Sequence, residues 1–138
     1  MTLRTIYLIL FSFTLSETAL SQEASSIRAG PNMAVLEANL KDGFRLAEKA
    51  KKVIGLKTEN LKSNPYSVPA NSLVYYGDKV GIYRLRDGWF KLIEIKVIGK
   101  NGSQSTISTN EFKEGDQIAV EGVALLRVSE MDAFGGEE

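Results

Sequence analysis

Apolar and polar positions change period along this chain. Between Arg45 and Gly55, the residues Leu46, Ala50, Val53 and Ile54 recur at helical spacing, which predicts a short amphipathic helix over residues 44–54. Asp42 is placed to cap it and Gly55 to stop it, with Lys49, Lys51 and Lys52 near the negative end of the helix dipole. Upstream, residues 33–40 read as a short strand or a helix start, broken at Asp42-Gly43, and are expected to pair with the C-terminal sheet. After Leu56 the pattern becomes β. Apolar-rich runs at 72–76, 79–85, 89–98, 105–108 and 117–122 are separated by Gly77-Asp78, Asp87-Gly88, Asn101-Gly102 and Glu114-Gly115-Asp116. Asp-Gly and Asn-Gly favour the left-handed dihedrals of tight hairpins, so the segment predicts an antiparallel meander. In its longest run, Ile93, Ile95 and Val97 alternate with Glu94 and Lys96, giving one buried face and one wet face. The fold class expected is mainly β with one short helix, a small antiparallel β-barrel or roll.

The first residues follow a different grammar. Arg4 precedes an apolar stretch from Ile6 to Leu15, and Ala19-Leu20-Ser21 sets small residues before a cut near Ser21. This is the pattern of a cleaved secretory signal peptide, too short in its apolar part to span a bilayer. With no cysteine after it, no lipid anchor is expected. The chain therefore divides into a signal peptide (1–21), a flexible linker (22–31), a β-domain (32–128) and a disordered, acidic tail (129–138). The exported protein is expected in the periplasm, with no membrane span after cleavage.

Composition narrows the chemistry. The chain has no cysteine, so burial and not disulfides must hold it together. It has no histidine, which removes the commonest general base and the commonest transition-metal ligand together. Lysine plus arginine and aspartate plus glutamate number 17 each, so no net field draws nucleic acid to it. Asp78, Asp87 and Asp116 each adjoin glycine and are read as turn residues rather than paired catalytic carboxylates. Only Met33 and Met131 lie beyond the export segment, too far apart in sequence to suggest a soft-metal site. No catalytic residue, cofactor or metal site is predicted.

Two sets of residues carry a resemblance. Val68-Pro69-Ala70, Leu73, Gly77, the strand Val80 to Leu85, Phe90 and Val97 stand in one order, closed by Phe112 to Gly122 with Gly115-Asp116 and then Leu125-Leu126. That order resembles the membrane-proximal domain of the periplasmic adaptors, or membrane fusion proteins, of resistance–nodulation–division efflux systems, in particular the heavy-metal type. Phe44 to Thr58 is similar to a helix such adaptors carry near their mature N-terminus. Between these pieces a full adaptor has a barrel, a lipoyl-like sandwich and usually a helical hairpin. Here only about ten residues separate the predicted helix from Val68-Pro69.

The resemblance implies a non-enzymatic interaction module of an efflux or transmembrane transport complex. Its partner would be an inner-membrane pump subunit or a full-length periplasmic adaptor. Alternatives are a periplasmic β-domain holding a small ligand between sheet and helix, or a degenerate remnant of a longer adaptor. Neighbouring residues on a strand point to opposite faces, so one of Tyr75 and Tyr76 and one of Trp89 and Phe90 should be partly exposed. Tyr76, Lys79, Arg84, Arg86 and Trp89 form the expected docking surface.

Overall fold

A computed structural model describes residues 34–135 together with the strand Ile27–Arg28. The expected signal peptide lies outside the described residues, as do most of the expected linker and the last three residues of the tail.

Two antiparallel sheets share one strand run. The larger sheet holds β1 (Ile27–Arg28), β2 (Val35–Asn39), β3 (Gly43–Leu46), β4 (Lys57–Asn60), β6 (Leu73–Tyr76), β7 (Lys79–Arg86), β8 (Trp89–Glu94) and β11 (Gln117–Glu121). The smaller holds β5 (Tyr66–Pro69), β9 (Lys96–Asn101) and β10 (Gln104–Ser108). Across the larger sheet the order is β1-β2-β3-β8-β7-β11-β4. On the side of β7 away from β8, β6 pairs with residues 79–82 and β11 with Arg84 and Leu85. In the smaller sheet β10 lies between β5 and β9. The fold is mainly β and antiparallel, and among the described residues its larger sheet does not close, so it is a roll rather than a barrel.

A core lies on each face of the larger sheet. One is built from Phe44, Leu46, Tyr83, Phe90 and Ala119, covered by Val123 and Leu126 of the helix α2 (Val123–Phe134). In it, the ring of Phe44 meets Tyr83 edge-on at 6.2 Å and Phe90 at 6.0 Å, geometries that favour aromatic pairs. The other core joins the two sheets through Val68, Leu73, Ile82, Ile93, Ile95, Ile107 and Ile118. The parity of β7 explains the division: Tyr83 and Leu85 serve the first core, Val80 and Ile82 the second.

Several expectations change. The run 89–98 is broken at Ile95: β8 stays in the larger sheet and β9 enters the smaller one, with the Ile95 N–H still bonded to the Val80 carbonyl. Its alternation holds, since Ile93 and Ile95 are buried while Glu94 and Lys96 are exposed. The predicted helix 44–54 begins late. Phe44 and Leu46 lie in β3, and α1 (Glu48–Ile54) buries no residue, with Val53 76% exposed. Leu46 belongs to a strand facing the core, so its helical spacing to Ala50 was coincidental. Asp42 does not cap α1: its N–H bonds Asn39 Oδ1 in the β2–β3 turn, and Ala47 precedes the helix without a side-chain cap. Gly55 does end it, at φ +68°, with Gly55 N–H to the Lys52 carbonyl and Leu56 N–H to Lys51, a Schellman ending.

A second helix replaces part of the expected tail. Residues 129–134 continue α2 from Val123, and Ser129 is buried. Its sequence, VALLRVSEMDAF, is rich in good helix formers but apolar on several sides, so no clean helical stripe announced it. Within the expected linker, Ile27–Arg28 pair with Ala38 and Glu37 of β2. Residues 33–40 supply β2, which reaches β8 through β3 rather than directly.

Candidate docking surface

The five residues singled out by the sequence occupy two different faces. Tyr76 and Lys79 are cross-strand partners on the face covered by α2. Lys79 Nζ donates to Glu94 Oε2 at 2.7 Å, and that bond raises the lysine pKa. The Arg127 guanidinium lies 5.9 Å from the Tyr76 ring centroid. Arg84, Arg86 and Trp89 project from the opposite face, by the register of β7 and β8. The Trp89 ring stacks under Arg45, with the guanidinium 5.7 Å from its centroid. Of the two tyrosines the exposed one is Tyr75, while the docking candidate Tyr76 is partly buried; Trp89 is half-buried and Phe90 fully buried.

The two arginines are engaged in structure. Arg86 holds the buried Asp116 carboxylate through Nε at 2.7 Å and Nη2 at 2.6 Å, a bidentate pair. Asp116 also accepts the Lys113 N–H at 2.8 Å, closing the turn before β11. Burial pushes the Asp116 pKa up, but the Arg86 and Lys113 bonds outweigh it and hold the carboxyl below its ordinary value. Arg84 is only 8% exposed. Its Nη1 donates to the Glu111 carbonyl at 3.5 Å and its Nε has no acceptor. Burial lowers its pKa, as does the neighbouring Arg86.

On the other face, the Tyr83 hydroxyl donates to Glu130 of α2, and Arg127 also pairs with that carboxylate. This contact ties helix to sheet. Burial, with the adjoining carboxylate, pushes the Tyr83 pKa far up, so the hydroxyl stays a donor. Tyr83→Phe should cost about 1–2 kcal/mol in chemical denaturation. The loss is limited because Glu130 keeps Arg127, and no change at all would mean the bond contributes nothing.

The surface that sequence reasoning missed lies on α2. On its outward side Leu125 and Val128 are each 51% exposed and Met131 57%, with Ala124 and Asp132 beside them. At the helix end Met131 and Phe134 join Leu40, Gly43, Lys91 and Leu92 in lining an open groove of about 390 Å³. Leu40, in the β2–β3 turn, is 86% exposed. A contiguous apolar surface of this kind marks an interaction site more often than chance exposure does. The available signal was the density of Leu125, Val128, Met131 and Phe134 in a segment with little polar alternation. The space between α2 and the sheet is filled by Phe44, Tyr83, Phe90 and Leu126, all fully buried. Among the described residues no cluster of three or more His, Cys, Asp or Glu side chains is placed to hold a metal, and no helix is long and apolar enough to cross a membrane.

No protein-family model matches the chain, and no curated protein matches it. Among solved structures it is similar to an NMR structure of 180 residues encompassing the N-terminal metal-binding site and the membrane proximal domain of SilB from Cupriavidus metallidurans CH34. The two are 18% identical, the alignment covers 82% of this chain and 70% of that one, and the TM-score is 0.42. At that degree of superposition the likeness carries nothing about activity over to this chain.

Proposed function

We propose that the chain is a non-enzymatic, periplasmic interaction module of an efflux or transmembrane transport complex, docking on a pump subunit or a full-length adaptor. The observation that carries the docking role is the apolar outward side of α2, continuous with the groove at Leu40 and Phe134. A solvent-facing helix with no partner normally presents charge there. The sequence resemblance of Val68 to Leu126 to an adaptor domain supplies the class of complex. The alternative of a small ligand held between the sheet and the predicted helix concerns α1, where an open depression of about 340 Å³ lies beside Lys51, Lys52, Leu56, Thr58 and Leu85; the apolar side of α2 favours docking over it. Arg84 and Arg86, once candidates for contact, serve the turn at Asp116 in this reading.

Site-specific photocrosslinking in cells tests it. A benzophenone side chain at Val128 should capture a pump or adaptor subunit identified by mass spectrometry, while the same group at exposed Glu59 should not. Capture of neither kind of subunit from Val128, or equal capture from both positions, would sink the proposal.

A further inference from the structure

Among the described residues, one strand edge beside the groove lacks a partner. β8 pairs with β7 along its whole length, from Trp89 to Glu94, but on its other side the described pairing is Phe44 with Phe90 alone. β3 begins at Gly43, and the chain before it turns away through Leu40. The loop Asp87-Gly88 has positive φ at both residues, so it closes a two-residue hairpin at Arg86 and Trp89. Hydrogen-bonding positions toward β7 then alternate from Trp89 to Lys91 and Ile93. The backbone groups of Phe90, Leu92 and Glu94 face the opposite way. Phe90 meets Phe44; Leu92 and Glu94 have no strand opposite them among the described residues.

The groove lies against this edge at Leu92 and offers apolar contact from Leu40, Met131 and Phe134. Its charges do not balance. Arg127 is paired with Glu130, whereas Lys91 donates to the Lys41 carbonyl at 2.6 Å and has no ion-pair partner among the described residues. One positive charge therefore remains at the rim, next to open backbone donors and acceptors.

We infer that this edge receives an extended segment of a partner protein, which adds a short strand to β8 with an apolar side chain in the groove and a carboxylate on Lys91. Strand addition takes affinity from main-chain bonds and specificity from alternate side chains. The open stretch from Leu92 to Glu94 accommodates about three residues, roughly 10 Å of strand. This inference rests on the docking-module reading and names the chemistry of the partner.

NMR on the whole chain tests it, with the capped peptide acetyl-Val-Glu-Val-Glu-Val-amide as probe and its lysine counterpart as control. In the free protein the Leu92 and Glu94 amides should exchange at least about tenfold faster than those of Lys91 and Ile93. Equal protection would show the edge already covered and overturn the proposal. The acidic peptide should move the Leu92, Glu94 and Met131 signals, and Lys91→Met should weaken its binding about fivefold or more. Equal binding of the lysine peptide, or none by the acidic one, overturns it as well. Concentration-dependent changes at Leu92 and Glu94 without peptide would assign the edge to a second copy of the chain, and tighter binding of decanoate than of the peptide would assign the groove to an amphipathic anion. Either result overturns the strand. Crosslinking at Val128 separates the two levels: pump or adaptor capture with no peptide binding removes the strand alone, whereas loss of that capture removes the docking reading.

Discussion

Replacing Gly43 by alanine should lower stability by about 3–4 kcal/mol and dissolve the contact between β3 and β8. Gly43 sits at φ +102°, where an L side chain is strained, and a Cβ built there falls 2.0 Å from the Phe90 carbonyl oxygen. The obstruction is backbone, so no rotamer change relieves it. Moving the strands apart would also loosen Phe44 against Phe90, two of the largest fully buried side chains. Gly77→Ala is the matched control: φ is +59°, nothing lies within 4 Å of the added atom, and the expected cost is about 1 kcal/mol. Urea denaturation of both variants checks the difference. A Gly43→Ala loss no larger than that of Gly77→Ala would show that the seam yields freely.

Asp116→Ala should cost about 2–3 kcal/mol. Removing one partner of a buried pair typically costs about 3–5 kcal/mol, and the partial exposure of Arg86 lowers that figure. The variant removes both carboxylate acceptors of Arg86 and the partner of the Lys113 N–H, and leaves the Arg86 charge uncompensated beside Arg84, whose guanidinium already lacks an Nε acceptor. The pH dependence has a definite sign. Because the folded pKa of Asp116 lies below its ordinary value, near 3.9 in an unfolded chain, its stabilisation is complete above that pH. It fades as pH falls through the unfolded and then the folded value. Wild type should therefore lose stability more steeply than Asp116→Ala below about pH 4. Parallel pH profiles would remove Asp116 as the cause.

Local signals were legible wherever a residue's backbone preference decided the structure. Asp87-Gly88 gave a hairpin, Gly55 ended a helix, and the alternation of Ile93, Glu94, Ile95 and Lys96 gave buried and wet faces. Signals failed where tertiary packing decided. Leu46 fits a helical stripe equally well as a strand core position, and only pairing with Val35 settles it. The break at Ile95 leaves the apolar period intact, so a transfer between sheets is invisible to it. The five docking candidates are close in sequence, yet strand parity sends Tyr76 and Lys79 to one face and Arg84, Arg86 and Trp89 to the other. The α2 surface joins Leu40 to residues some ninety positions later, a juxtaposition that exists only once the sheet has formed.

The place of β11 bears on how the chain reaches this state. Strand β4 ends at Asn60, and its described pairing is with Gln117–Glu121, near the end of the chain. The same strand bonds to Arg84 and Leu85, where β6 has ceased to cover β7. A growing chain can thus form the hairpin of β7 and β8 early, but β4 must wait for the last strand, and α2 can seal Phe44 and Tyr83 only after that. Closure of long loops slows folding. That order leaves β4 without its partner, and Phe44 and Tyr83 without their cover, until β11 and α2 have been made.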